Sequence, residues 1–367
     1  MRIAVNTRLL KKNKLEGIGR FTYETLRSMV LKHPEVEFIF CFDHKFDSEF
    51  IFAPNVKGLV IHPPAKHPFL YYIWFQHCLP RVLKKHKIDL LLSPDGYLPL
   101  NTKIKTLAVI HDIAFEHFEN GVNWLEQKYY NYYFPKFANQ ATRIATVSEF
   151  SKQDLVNTYQ ISADKIDVVY NGVTDAFKQL SNSPKPLIPY FICVGAIHPR
   201  KNILNLLKAF EAFRKQNPTF KHQLILAGRR AWKTSVLDKH LKTMTFKTDV
   251  IFKAELSDDE INLLLNNATA SIYPSYFEGF GLPVIEAFSC GTPVITSQET
   301  AMEEISKGAA HLFNPNNFKE LTRKIYEQAA GIADNQQKII LGLKLAKQYN
   351  WENTSKLLWQ AILKTIN

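Results

Sequence analysis

The rhythm of the chain limits its fold more than any other feature. Short, nearly all-apolar segments lie at 3–6, 38–42, 59–62, 90–93, 106–110, 143–147 and 167–170. Helical patterning is found between several of them, near 18–32, 70–86, 123–138 and 151–158. The alternation returns more cleanly at 190–194, 223–227, 250–252, 270–273 and 293–296, with helices expected near 201–216, 232–243, 257–267, 283–290 and 317–331. Strands apolar on both faces and joined by helices belong to parallel sheets covered on both sides, so an α/β fold is expected. Ser257 with Glu260 forms a capping-box pattern at a helix start, and Ser151 with Asp154 resembles one.

The two series are separated by Pro184, Pro186 and Pro189, three prolines in six residues, which suit a stiff linker. The expected division is a first domain at 1–182, a linker at 183–189 and a second domain at 190–345. A helical stretch at 346–367, with Trp351 and Trp359, can pack back on the first domain. At 367 residues the chain can hold two ordinary domains with a cleft between them. No apolar run approaches the roughly 18 residues of a membrane span. The first residues read as a strand, not a signal peptide. Cys41, Cys78, Cys193 and Cys290 are scattered in apolar contexts, as expected of buried free thiols in a reducing cytoplasm.

The net charge of +12 is spread along the chain: residues 1–185 carry 24 basic and 18 acidic side chains, residues 186–367 carry 22 and 16. Such a field attracts phosphates, nucleic acid or acidic lipid. Arg81, Lys84, Lys85, His86 and Lys87 follow an aromatic run at 71–75. The stretch 71–87 is either an ordinary helix with a solvated basic face or a patch that docks on an anionic membrane. No recognition-helix or aromatic-basic RNA motif accompanies the charge, so nucleic acid is not an expected partner.

In open parallel sheets, ligands bind beyond the carboxyl ends of the strands. Four segments fall there. Glu16, Gly17, Ile18, Gly19 and Arg20 follow the first strand, where glycine permits backbone contact with a phosphate or a sugar; a plain turn before a helix explains them equally. They do not complete Gly-x-Gly-x-x-Gly, which argues against a dinucleotide-dependent dehydrogenase. His111 and Asp112 end another strand. His111 can donate a hydrogen bond to a substrate hydroxyl or act as acid or base, or the pair can simply cap a turn. Gly195, Arg200 and Lys201 end a strand and open a helix, where two cations oppose the helix dipole unless an anion is near. The segment 275–293 sets Glu278 and Glu286 on either side of a glycine turn, with Pro283 suited to the first helical position. Its backbone N–H groups can approach a phosphate and its carboxylates can accept from sugar hydroxyls. No carboxylate or histidine cluster has metal-ligand spacing.

Taken in order, Gly17 to Arg20, His111 with Asp112, 147–152, 168–173, Gly195 to Asn202 and Glu278 to Glu286 span nearly the whole chain and resemble the retaining GT-B glycosyltransferases of family 4. That resemblance implies two Rossmann-like domains whose parallel sheets face across a cleft, with a nucleotide-sugar donor held mainly by the second. Arg200 and Lys201 would contact its diphosphate, Glu286 its ribose and Glu278 the transferred sugar. Backbone groups at Gly279, Phe280 and Gly281 would help, and Gly195 and Leu282 join the nucleotide-binding set. Gly17 and Gly19 would close over the phosphates, His111 would reach the sugar, and the acceptor would lie on the first domain. One departure is Ala196, which stands where many relatives carry arginine, so the phosphate falls to Arg200 and Lys201.

The resemblance further implies retention at the anomeric carbon by same-face attack, with no metal or other cofactor. His198 to Asn202 and the Gly17 loop look most like bacterial mannosyltransferases of surface-polysaccharide assembly. GDP-mannose is therefore the expected donor and a glycan or lipid-linked molecule the expected acceptor, at or near the inner face of the cell membrane. A UDP-sugar transferase, a GT-B sugar-nucleotide epimerase and a non-catalytic sugar-nucleotide binder are the alternatives.

Overall fold

A computed structural model describes residues 1–12, 15, 17–118, 123–181, 183–230 and 235–367. Glu16, and the first residues of the helix expected at 232–243, lie outside them. The chain divides into two units, Met1–Gly172 with Trp351–Asn367, and Val173–Asn350.

The first unit is built on seven parallel strands. They are β1 (Arg2–Asn6), β2 (Glu37–Phe42), β3 (Val56–Val60), β4 (Leu90–Ser93), β5 (Lys105–Val109), β6 (Arg143–Thr146) and β7 (Ile166–Val168). Their order across the sheet is β3-β2-β1-β4-β5-β6-β7. Ile3 stands beside Phe38 of β2 and Leu90 of β4, so β1 is an interior strand. Side chains alternate between two cores, as the period of a strand requires. Ala4, Leu91, Ala108 and Ile144 face one core with Tyr71, Trp74 and Phe137. Ile3, Val5, Leu90, Leu92 and Leu107 face the other with Phe21, Met29, Trp351, Leu358 and Ile362. The helix Trp351–Ile366 thus completes the second face. It packs along the helix Ile18–Lys32, and Ser355 donates to the Thr25 carbonyl at 3.1 Å.

The second unit carries six parallel strands: β8 (Tyr190–Val194), β9 (Gln223–Ala227), β10 (Val250–Lys253), β11 (Ala270–Tyr273), β12 (Val294–Ser297) and β13 (His311–Phe313). Their order is β10-β9-β8-β11-β12-β13. In both sheets the strand order reverses beside the first strand of the unit, between β1 and β4 and between β8 and β11. Those reversals open the crevices where ligands of such sheets sit.

Several expectations need correction. The division falls at Gly172–Val173, ahead of the expected linker at 183–189. The backbone of Lys178 and Leu180 is bonded to Asn262 and Asn266 of the second unit, at 3.0 and 2.9 Å. The other crossing falls at Asn350–Trp351, so 346–350 stay with the second unit. Ser148, not Ser151, caps the helix Glu149–Tyr159; its hydroxyl accepts from the Ser151 N–H. The helix expected at 70–86 is three pieces, Pro68–Ile73, a wider π-type turn at Trp74–Cys78, and Leu79–Lys85. Within it Tyr71, Trp74 and Phe75 are buried, so the basic-aromatic stretch 71–87 does not form a single exposed face.

Candidate active site

In the second unit, β8 ends at Val194 and the chain turns through Gly195 into a short turn at Pro199–Lys201. His198 opens that turn, its Nδ1 accepting from the Arg200 N–H at 3.2 Å. Asn202 then takes a left-handed conformation, φ 58°, and the helix Ile203–Gln216 begins after it. Arg200 and Lys201 therefore precede the helix instead of opening it. Asn202 is held there by its side chain, which donates to the carbonyls of Pro274 at 3.0 Å and Pro315 at 2.8 Å. The Tyr276 N–H donates to the Arg200 carbonyl at 2.9 Å. The loops after β8 and β11 are thus bolted together by backbone and amide bonds.

Between these loops Glu278 is buried, 7% exposed, with one oxygen 2.7 Å from Arg200 Nη1 and the other 2.7 Å from Lys201 Nζ. Burial alone would raise its pKa, yet the adjacent guanidinium and ammonium outweigh it and hold the carboxyl at about 2. Burial pulls the Lys201 ammonium down while Glu278 supports it. Lys201 also donates to the Tyr273 hydroxyl, and its Nζ lies 4.5 Å from the Tyr273 ring centre. Arg200 Nη1 additionally donates to the Phe277 carbonyl at 2.7 Å. Two cations share one carboxylate, which leaves a local surplus of one positive charge.

The loop from Ser275 to Gly281 is largely buried and runs into the helix Leu282–Ser289. Gly281 opens that helix with φ 100°, and a Cβ there would lie 2.7 Å from Met302 Cγ, so both conformation and space require glycine. Leu282 is the first helical residue and Pro283 the second, one place later than expected; the N–H that proline lacks is still one without an intrahelical partner. Glu286 is half-buried on the next turn, while Val284, Ile285, Ala287 and Phe288 bury the other side. Phe280 is buried edge-on against Tyr349, ring centres 5.6 Å apart, so its side chain is a packing element and only its backbone can serve a ligand.

In the first unit, His111 follows β5, half-buried, with Phe21 edge-on at 4.8 Å. Its Nε2 lies 3.0 Å from the Pro94 carbonyl, an acceptor, so Nε2 carries the proton and donates. Burial lowers the imidazole pKa, favouring the neutral ring. Nδ1 is then an acceptor, so of the expected roles donation to a hydroxyl is not available from Nδ1, whereas receiving a hydrogen bond from a hydroxyl, as a base does, is. Gly19 has a packing reason of its own, since a Cβ there would meet the Leu9 carbonyl oxygen at 2.9 Å. Gly17, with φ 41°, has open space where its Cβ would be.

Sequence reasoning missed Tyr273, which reads as one more apolar strand residue, and the cluster at the β1–β4 reversal. There Arg8 Nε lies 2.6 Å from Asp95 Oδ2, while Asn6 Nδ2 donates to Asp95 Oδ1 at 2.7 Å. The Arg8 guanidinium stacks over Tyr97, 4.4 Å from its ring centre. The available signal was polar residues directly after two nearly all-apolar strands. Among the described residues, no three His, Cys, Asp or Glu side chains are grouped to hold a metal ion.

Residues 15–177 match glycosyltransferase family 4, and residues 175–330 match the glycosyl transferases of group 1. The chain belongs to the family 4, group 1 glycosyltransferases, and its fold is GT-B. It is similar to the O-antigen chain mannosyltransferase B of Escherichia coli, 26% identical, with 93% of this chain and 94% of that one covered. It is also similar to the O-antigen chain mannosyltransferase RfbU of Salmonella typhimurium, 27% identical over 83% and 85%. Among solved structures, sucrose-phosphate synthase of Thermosynechococcus elongatus shares the fold, with a TM-score of 0.78 at 15% identity over 99% of this chain and 98% of that one.

Proposed function

We propose that the chain transfers mannose from GDP-mannose, with retention at the anomeric carbon, to a glycan or lipid-linked acceptor in surface-polysaccharide assembly. The observation that carries the reading is Glu278 held between Arg200 and Lys201 beside the β8–β11 reversal. The names of the two curated relatives support mannose as the sugar.

In this reading the diphosphate of the donor takes the surplus positive charge of Arg200 and Lys201. The positive end of the helix Leu282–Ser289 adds to it. Glu286 accepts from the ribose hydroxyls and Glu278 from hydroxyls of the mannose. The first unit takes the acceptor, and His111 Nδ1 accepts from a sugar hydroxyl. Transfer breaks the bond between the anomeric carbon and the diphosphate oxygen and forms one to the acceptor oxygen on the same face. The electron pair leaves with the diphosphate, where the two cations stabilise it. The acceptor proton passes to the departing phosphate oxygen. A carboxylate at about 2 holds no proton to give near neutral pH, and both its oxygens are engaged by cations. That arrangement favours same-face attack over a double displacement through Glu278.

A thermal-shift series with UDP-, GDP-, ADP- and dTDP-sugars tests the donor. GDP-mannose is expected to raise Tm most; stabilisation by a UDP-sugar alone would overturn the assignment of the base. Glu286→Ala is expected to weaken GDP binding about tenfold or more, the loss that follows when about 1.4 kcal/mol of hydroxyl contacts is removed. Calorimetric titration showing an unchanged Kd would remove Glu286 from the ribose.

A further inference from the structure

The first unit has an exposed aromatic face that the transfer reaction does not use. Of the five exposed aromatic side chains among the described residues, Phe69, Tyr72, Trp124, Tyr132 and Tyr326, the first four lie on two helices, Pro68–Ile73 and Trp124–Gln140. Trp124 is 69% exposed, Phe69 66% and Tyr132 58%. Leu125 is exposed beside them.

The longer helix explains the pattern. Trp124, Lys128, Tyr132 and Lys136 recur every four residues and form one stripe. Tyr129, Phe134, Phe137 and Ala138 are buried on the opposite side. Lys128 Nζ lies 4.0 Å from the Trp124 ring centre and Lys136 Nζ 3.3 Å from that of Tyr132. Tyr133 joins the helices, with ring centres 4.9 Å from Tyr132 and 6.3 Å from Tyr72. Beyond the other end of the shorter helix stands exposed Lys66. Glu126, the one acid on either helix, is half-buried and adds to the raised pKa of Tyr71 and Tyr130 on the covered side.

We propose that this face docks the protein on an anionic lipid bilayer. The tyrosine and tryptophan rings have one apolar and one polar end and, with the wholly apolar Phe69 and interleaved lysines, suit the boundary between acyl chains and headgroups. The rings enter the boundary while the long lysine stems carry their ammonium groups back to the lipid phosphates. Cations without carboxylates on the same stripe complement a negative surface, and the net charge of +12 adds long-range attraction. The bilayer contact therefore keeps only Tyr72 of the 71–87 stretch and adds Phe69, Trp124, Leu125 and Tyr132. The inference does not depend on the identity of the donor or the acceptor.

The test is co-sedimentation of the full chain with vesicles of phosphatidylglycerol and phosphatidylethanolamine, against vesicles of phosphatidylcholine alone. Binding is expected to the anionic vesicles only and to weaken as salt rises. The Phe69→Ala/Trp124→Ala variant is expected to bind about tenfold or more weakly, since both apolar rings are lost from the boundary. Lys128→Glu/Lys136→Glu is expected to weaken binding and to reduce its dependence on salt. All four residues are exposed, so circular dichroism and the Tm should match the parent. Equal binding by parent and variants would overturn the proposal. So would failure of the parent to bind, or concentration-dependent light scattering that the same substitutions remove, which would make the face a contact between two copies.

Discussion

Glu278→Gln is expected to separate donor binding from transfer: nucleoside-diphosphate affinity stays level or rises, while turnover falls by a factor on the order of 10²–10³. In the parent, Arg200 and Lys201 are each 2.7 Å from the Glu278 carboxylate, which competes with an incoming diphosphate for the same cations. Glutamine keeps the shape and removes the competing charge, so GDP meets two cations that no longer face the Glu278 carboxylate. The same change removes the charged acceptor proposed to hold the mannose, and it lets the freed cations crowd each other. The ligand-free variant should therefore melt earlier than the parent and regain more of its Tm when GDP is added. Calorimetry with GDP and initial rates with GDP-mannose read the two effects apart. A parallel loss of GDP affinity and turnover would reduce Glu278 to a support for the loop.

Breaking the pair of Arg8 and Asp95 is expected to destabilise the first unit by about 3–5 kcal/mol, the range for removing one partner of a buried ion pair. The side chains are only 10% and 4% exposed, and their contact is 2.6 Å. Burial works against the guanidinium charge, but Asp95 more than compensates and raises the Arg8 pKa. With Asp95→Asn the cation stays buried among Tyr71, Phe75 and Tyr97 without a counter-charge, and where the amide oxygen stays with Asn6 and Ser93 the amide NH2, a donor, faces Arg8 Nε. Arg8→Met/Asp95→Leu should recover only part of the loss, because Asn6 and Ser93 also hydrogen-bond to Asp95. Urea denaturation read separately for each unit should shift the first transition and spare the second. A shift under about 1 kcal/mol would place the pair with exposed ion pairs and refute its structural weight.

Much of this architecture is written locally. The strand expected at 190–194 and the helix expected at 18–32 appear with those bounds, because an unbroken apolar run and a continuous amphipathic stripe are short-range signals. Ser257 caps its helix as its spacing with Glu260 predicts. By contrast β13 has three residues, begins with a histidine and carries little apolar signal. The helix Gln336–Gln348 likewise carries a weak local signal, since its buried residues are few: Gly342, Leu345 and Ala346. In the active site the glycine turns and the cations could be read from short segments. Their pairing could not, because Arg200 and Glu278 are 78 positions apart and meet only after β8 and β11 lie side by side. His111 shows the same limit: its residue type was visible, but the direction of its hydrogen bond depends on the carbonyl of Pro94, 17 positions away.

The helix Trp351–Ile366 gives the chain a particular order of assembly. It supplies Trp351, Leu358, Ala361 and Ile362 to a core otherwise built from residues before 173. During synthesis, these side chains leave the ribosome only after the whole second unit has been made. Until then the core that holds Phe21, Met29 and Val30 lacks part of its cover. The second unit has no such wait, since Val173–Asn350 is continuous. A ribosome stalled with residue 350 just emerged should therefore display a protease-resistant second unit beside a first unit that is still open to cleavage.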